Sequence, residues 1–529
     1  MALGGQEEQT LAHRSQAYGV LPSVPSPPRL ALAALTALAL LVAPGTAQAS
    51  SNQVSIMMDD DLLLYRGDAV RDQTMARMKQ LGVDAVRVTV LWSVVAERAK
   101  AGKSRRSRFN PTQPQTYPPR NWDRYDRLVR TGRRLGLRVL FNVTPPGPSW
   151  SRGRAPRGLR TVVKRAWKPN AGEFAKFVEA VGRRYSGRFR DDDDDKALLP
   201  RVDFWSLLNE PNQAGWLAPQ WENGRAASPA MARELYLRGR AALDRTGHGR
   251  DAILFGETAP LGSDARGRRS PIRPKRFLRE LLCSRRGGTR CDLFDKYGPL
   301  RATGIAHHPY TKDVGPTTRD RAQDSITMAN IGDLGKLVDQ LGRRTKNVRT
   351  GLPVWLTEFG FETNPPDPFS GVPLAEQALW NQQGEFIAFG DPRVAGLTQF
   401  LLRDGAPVRG KPRSSKSRWF TYQSGLQFAD GRAKPALDAY AFPFLAQGRG
   451  ATAEVWGQLK FRPNNLPPGA QDRVTIEHSP DGGATWNDVG SVRVTNARGF
   501  FVGRVALPGR GQLRGVAVGE QVTSLPAGV

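Results

Sequence analysis

At 529 residues the chain exceeds the roughly 250 to 300 residues at which a single core stops growing, so a large domain with a smaller companion is expected. Apolar residues make up 39% of it and twelve are tryptophan, which excludes a chain disordered throughout. A formal charge of +29 raises nucleic acid as a partner, but the arginines are spread through every predicted helix and loop. No zinc-finger spacing, aromatic RNA-binding signature or Walker loop accompanies them, so no nucleic-acid partner is expected.

The first element is an apolar run at residues 30–43, preceded by Arg14 and Arg29 and followed by the small-x-small site Ala47-Gln48-Ala49. It reads as a secretory signal peptide over residues 1–49. The run is shorter than the ~20 residues that span a bilayer and has no second of its kind, so stable membrane insertion is not expected; an uncleaved signal anchor is the alternative. A secreted or cell-surface location follows, and for an exported cationic protein anionic cell-wall polymers or acidic polysaccharide are better partners than DNA.

From residue 52 to 404 short β-branched or apolar runs alternate with amphipathic stretches. The strand-like runs are 54–57, 85–90, 137–141, 202–208, 252–255, 302–306, 354–357 and 395–400. Helical patterns at 69–81, 123–135, 172–185, 231–243, 331–341 and 374–389 lie between them. Eight such units predict a (β/α)8 TIM barrel spanning residues 50–445. The run Asp191 to Asp195 before the fourth strand reads as a solvated loop, since it lacks the glycine and spaced ligands of an EF-hand. Cys283 and Cys291 are the only cysteines, and in an oxidising compartment they are expected to form a disulfide across a short loop.

Past residue 446 the pattern changes to short alternating strands and turns, predicting a small C-terminal antiparallel β-sandwich over residues 446–529. Within it Ser479 to Trp486 (SPDGGATW) resembles the Asp-box turn of sialidases; a single copy is a structural hairpin.

Two glutamates follow apolar strands: Glu210, in Asn209-Glu210-Pro211 after the fourth run, and Glu358, after Trp355-Leu356-Thr357 in the seventh. Barrels carry catalytic residues at the carboxyl ends of their strands, so the two should face each other across the mouth. Cleaving a glycosidic bond needs a carboxylic acid to protonate the leaving oxygen and a carboxylate across the anomeric carbon. The fourth-strand motif WSLLNEPN and the seventh-strand motif WLTEFG, in this order on these strands, resemble the clan of retaining (β/α)8 glycoside hydrolases that includes the cellulase-like family 5 and the xylosidase-like family 39. The resemblance covers about residues 52–445.

It implies that Glu210 is the acid/base, Glu358 the nucleophile and Asn209 the partner of the sugar 2-hydroxyl. It also implies that Arg87 on the second strand contacts the nucleophile, and that His308 and Tyr310 after the sixth orient it. Glu362 is the alternative nucleophile. Asn142 at the end of the third strand is a candidate ligand for a substrate hydroxyl, and Glu257 at the end of the fifth is a substrate ligand or a decoy for the acid. Trp92, Trp150, Trp216 and Trp221 are candidate sugar platforms or loop-packing residues. His307 and His308 are not expected to form a metal pair, because adjacent side chains on a strand diverge; no metal or cofactor is implied. Many clan members end the eighth strand with a sugar-stacking tryptophan, whereas this chain reads Thr398-Gln399-Phe400-Leu401, which leaves the β-linked polysaccharide or oligosaccharide substrate unspecified. An inactive carbohydrate-binding cell-surface protein and a transglycosylase are the alternatives.

Overall fold

The computed structural model describes residues 50, 52–101, 103–191, 197–284, 289–460, 473–494, 496–517 and 522–529. The predicted signal peptide and residues 192–195 of the aspartate run lie outside them. Asp191 is described: it is buried and pairs with Arg130 at 3.0 Å. Among the described residues no helix is long and apolar enough to cross a membrane.

Eight strands close into a parallel barrel: β1 Val54–Met58, β2 Ala85–Leu91, β3 Arg138–Thr144, β4 Phe204–Leu207, β5 Ala252–Thr258, β6 Gly304–His307, β7 Val354–Phe359 and β8 Val394–Phe400. Each pairs with the next, and β8 returns to β1 with Val54 opposite Gly396. The covering helices are α1 Asp68–Gln80, α2 Asp123–Leu135, α3 Ala171–Arg184, α4 Ser228–Arg245, α5 Pro274–Leu281, α6 Gly332–Thr345, α7 Leu374–Gly390 and α8 Pro435–Ala441. Local sequence sets their starts: Asn170 caps α3 by accepting from the Glu173 backbone N–H at 3.0 Å, and proline opens α4, α5 and α8. The short α5 was not among the predicted helices.

The barrel interior is built in layers by the two-residue period of its strands. One layer is apolar: Ile56, Ala85, Leu140, Phe204, Leu254, Ala306 and Trp355 form a single buried cluster. Trp355 fits only because β6 and β8 present glycine to it, since a Cβ on Gly304 or Gly396 would lie 2.7 or 2.9 Å from the indole. Two residues further along the strands the inward positions become Arg87, Asn142, Ser206, His308 and Thr357. The apolar layer is thus a floor, and the layer above it is polar.

Beyond the barrel, β9 Phe444–Arg449, β10 Thr452–Gln458 and β13 Phe500–Ala506 form one antiparallel sheet. A second is formed by β11 Arg473–Ser479, β12 Asn487–Arg493 and β14 Gln512–Ala517, extended by the short strands Val522–Thr523 and Ala527–Gly528. They enclose a core of their own, including Phe444, Val455, Ile476, Phe501 and Leu513. This is the expected β-sandwich, starting two residues before the predicted 446. Its Asp-box turn is self-contained: Asp481 accepts from Ser479 Oγ at 2.7 Å and from the Thr485 backbone at 2.9 Å, and the Trp486 indole N–H donates to the Gly483 carbonyl. The sandwich rests on α7 through Trp456 and Phe500 against Phe389, and through Lys460 Nζ, 2.7 Å from Glu385. Cys283 and Cys291 are joined in a disulfide.

Candidate active site

At the carboxyl ends of β4 and β5 the backbone departs from the regular extended conformation. Leu208, Glu210 and Glu257 have φ of +73°, +37° and +46°, left-handed values that cost non-glycine residues of order 1–3 kcal/mol each. That turn stops β4 at Leu207, short of the predicted 208. The backbone N–H of Glu210 donates to the Glu257 carbonyl at 2.8 Å, which ties the ends of β4 and β5 together.

Arg87, wholly buried, is the hub of the polar layer. Its Nη1 donates to Glu358 Oε1 at 3.0 Å, and its Nη2 to Asn209 Oδ1 at 2.8 Å and Glu257 Oε2 at 3.1 Å. His308 is the second hub, with Nδ1 3.0 Å from Glu210 Oε1 and Nε2 2.7 Å from Glu257 Oε2. Tyr310 Oη donates to Glu358 Oε2 at 3.1 Å. The structure therefore gathers Arg87, Asn209, Glu210, Glu257, His308, Tyr310 and Glu358 into one cluster.

Burial alone would strip the proton from His308, but the charge of Glu358 and hydrogen bonds to Glu210 and Glu257 prevail and raise its pKa to about 10. Burial pulls Glu257 upward, yet Arg87 and then His308 hold it at about 2. Glu358 is pushed up by burial, with His308 and Arg87 opposing and the other two carboxylates adding to the rise. Burial also lifts the Tyr310 phenol far above its usual range, and the charge of Glu358 adds to this, so Tyr310 stays a hydrogen-bond donor. His307 faces away from this cluster: it bonds Thr258 at 2.8 Å and the Ile326 carbonyl at 2.9 Å, and burial depresses it to about 3.

Several expected residues have other surroundings. Glu257 is no ligand at the mouth; its Oε2 is the common acceptor of Arg87, His308 and Thr357, the last at 2.9 Å. The Asn142 amide bonds Ser206 Oγ at 2.8 Å and the Leu208 carbonyl at 2.6 Å, holding the end of β4. Trp92 is buried and stacked on Phe177 at 5.7 Å, and Trp216 is packed against Leu91 and Val94. Trp221 is buried with its N–H on the Ser270 carbonyl at 3.0 Å, so these three indoles pack loops and offer no platform. Trp150 is half-buried, with Lys100 Nζ 3.9 Å from its ring centre. Glu362 lies past the end of β7, raised to about 8 by burial and by Asp367 and Asp404, with Lys416 opposing the rise; it takes no part in the cluster around Arg87 and His308.

Residues not anticipated complete the cluster. Met58 Sδ accepts from Arg87 Nη1 at 2.7 Å, and Thr357 bonds Glu257. Phe400 stands edge-on to Tyr310 and Tyr422, with centroids 6.1 and 5.2 Å away, so phenylalanine and tyrosine occupy the wall at the end of β8. The inward two-residue period from Ile56 to Met58 and from Trp355 to Thr357 was a legible signal for the first two; Tyr422 had none.

One ligand atom each from Glu210, His308 and Glu358 lies within 4.8 Å of the others, close enough to surround a cation. Both His308 nitrogens are already engaged, one with Glu210 and the other with Glu257, so the geometry is that of a hydrogen-bonded network between imidazole and carboxylates.

No family model and no curated protein matches the chain. Among solved structures it is similar to a family 39 glycoside hydrolase from Bacteroides cellulosilyticus, at 12% identity over 87% of this chain and 81% of that one, with a TM-score of 0.46. It is also similar to GH5_18 from Streptomyces cattleya in complex with GlcNAc, at 18% identity over 74% and 79%, with a TM-score of 0.44. An FMN-binding β-glucuronidase from Faecalibacterium prausnitzii is similar at 12% identity and a TM-score of 0.39; this chain, 92% of it aligned, spans 56% of that protein's length. Likenesses this distant say nothing of activity.

Proposed function

We propose that the chain is an exported retaining glycoside hydrolase that cleaves a β-linked polysaccharide or oligosaccharide. The observation that carries this reading is the approach of Glu210 and Glu358, one oxygen of each within 4.8 Å of the other, at the carboxyl ends of β4 and β7. Retaining enzymes separate their carboxyl groups by about 5 to 5.5 Å, whereas inverting enzymes need about 6.5 to 9.5 Å to admit a water. Export is supported by the Cys283–Cys291 disulfide, which suits an oxidising compartment.

In this mechanism an oxygen of Glu358 attacks the anomeric carbon while protonated Glu210 gives its proton to the leaving oxygen. The glycosyl ester on Glu358 is then cleaved by a water that Glu210 deprotonates. Arg87 and Tyr310 each donate to Glu358, at 3.0 and 3.1 Å, which aims the carboxylate and favours its ionised form against the upward pull of burial. Asn209 Oδ1 is taken by Arg87, which turns its amide N–H toward a sugar hydroxyl.

Purified protein is screened on β-linked polysaccharides and aryl β-glycosides. Turnover that disappears in Glu358→Gln is expected, and NMR of the first-formed anomer should show retention. No turnover by the wild type, or an inverted product, is incompatible with this reading.

A further inference from the structure

At the amino end of the barrel, away from the glutamate pair, lies a cavity of about 700 Å³. Arg240, Arg301, Arg343, Lys346 and Arg349 line it, with no carboxylate among the described residues of its wall. Three segments build it: α4 at Arg240 with Gly249 beyond its end, the approach to β6 from Pro299 to Thr303, and the turn from Gly342 on α6 to Thr350 before β7. These segments are fastened to one another. The Leu300 backbone N–H donates to the Asn347 carbonyl at 2.7 Å, and Leu300 bridges to Val348. The Asn347 amide donates to the Leu282 carbonyl at 3.1 Å, and a Cβ on Gly342 would lie 2.6 Å from the Val348 carbonyl, so the turn is packed tightly against its helix.

The cations of this wall outnumber their partners. Asp244 serves two of them: its Oδ1 accepts from Arg240 Nε at 3.1 Å and its Oδ2 from Arg301. Arg343, Lys346 and Arg349 are exposed and enter no ion pair among the described residues. Residues 340–357, which supply all three, contain four lysines and arginines and no carboxylate. Arg240 differs from them in being 5% exposed. Its Nη2 donates to the Gly249 carbonyl at 2.8 Å, while its Nη1 is buried without a partner. A buried guanidinium donor left unsatisfied costs free energy that an oxyanion accepting from it restores, and like charges gathered in a cleft are relieved by the same anion.

We infer that this cavity is a docking site for the oxyanions of an anionic glycan polymer, separate from the cleft that holds Glu210 and Glu358. The six residues of β7 run from this end of the barrel to the other, roughly 15 Å or more at the rise of a strand, so a polymer held at the base leaves the mouth open. Single-stranded nucleic acid fits less well, because it binds by stacking its bases on aromatic side chains and the cavity is lined by none. The choice of a glycan rests on the export proposed above; the anion site itself does not depend on the glycosidase reading.

The test is calorimetric titration of the full chain, carrying Glu358→Gln so that no polymer is cleaved, with polygalacturonate, poly(glycerol phosphate) and uncharged dextran at low salt. A chain of net charge +29 attracts any polyanion, so the site is read from two variants that remove the same charge. Arg343→Gln/Lys346→Gln/Arg349→Gln is expected to weaken the better-bound polyanion about thirtyfold, the sum of three exposed ion pairs, and the loss should shrink as salt screens them. Arg473→Gln/Arg493→Gln/Arg510→Gln, which removes three exposed arginines of the sandwich, should cost about threefold or less. Arg343→Lys/Arg349→Lys keeps the affinity, which separates lost charge from a damaged turn. Arg240→Lys, which keeps the charge and loses Nη1, lowers it severalfold, with the melting temperature as the check on folding. Whichever polyanion binds more tightly assigns the oxyanion as carboxylate or phosphodiester. Equal losses in the two glutamine variants, binding of neither polyanion, dextran bound as tightly, or tighter binding of a single-stranded DNA of equal charge overturns the inference. Wild-type turnover of aryl β-glycosides would still stand in any of those cases, so failure of the docking site and failure of the proposed function are distinguishable.

Discussion

Arg87 has no accessible surface, yet it bonds Glu358, Asn209 and Glu257 at once. A lysine carries the charge but not the fork, so Arg87→Lys should lower kcat by about a hundredfold or more, with a smaller effect on KM. Glu210→Ala should abolish turnover of natural glycans while sparing the first step on dinitrophenyl glycosides, whose leaving group needs no proton; burst kinetics would report this. The titrating groups also set a stability profile. His308 binds its proton at about 10 in the fold against 6.5 ordinarily, so its contribution is whole below about pH 6.5 and is lost as pH rises through about 10. Asp59, raised to about 7, and Glu362, raised to about 8, both chiefly by burial, have the same sign: protonation favours the fold and ionisation erodes it. Glu257, at about 2 against 4.5, opposes them; its contribution is present above about pH 4.5 and lost as pH falls through 2. The melting temperature is therefore expected to peak at about pH 4 to 4.5, where the Glu257 contribution is complete and the losses at Asp59 and Glu362 begin, and to decline towards pH 10, less steeply above about pH 6.5 in His308→Gln. A melting temperature that climbs from pH 6 to 9 would contradict these signs.

The strands act as rulers. The same two-residue step that lays Ala85, Leu140, Ala306 and Trp355 into the floor raises Arg87, Asn142, His308 and Thr357 above it. Gly396→Ala would place a Cβ 2.9 Å from Trp355, and this overpacking should cost about 1–3 kcal/mol, read by denaturant unfolding. The loop after β8 is held differently. Lys434 Nζ, wholly buried, donates to Asp404 at 2.7 Å, Thr363 Oγ1 at 2.8 Å and the Gln423 carbonyl at 3.0 Å. Lys434→Ala strands the Asp404 charge and should destabilise by about 3–5 kcal/mol, while Lys434→Met with Asp404→Leu should recover most of it. At this scale the sequence was legible where period and punctuation were strong. All eight strands lay within a few residues of their predicted places, whereas α5, eight residues long, was too short for its period to stand out.

Among the described residues there are two principal cores, one centred on the barrel and reaching Tyr440, the other starting at Phe442. Between them Trp456 and Phe500 meet Phe389, and Lys460 lies 3.7 Å from the Tyr440 ring centre with Glu385 as its ion partner. Trp456→Ala removes most of that apolar contact and should cost about 3–5 kcal/mol; calorimetry is expected to show the sandwich transition separating from that of the barrel. Sequence alone determined the eightfold repeat, the sandwich and the pair Glu210 and Glu358, because periodicity and strand-end position are local properties of the chain. Tertiary structure decided which neighbours those carboxylates have: Glu257 as an anchor and not a ligand, Trp92 and Trp216 as packing and not platforms. It also decided that Arg98 and Lys100 line one cavity with Arg152, some fifty residues further along the chain. Burial, partner distance and the field of one loop on another arise only when the barrel closes, and no window of sequence contains them.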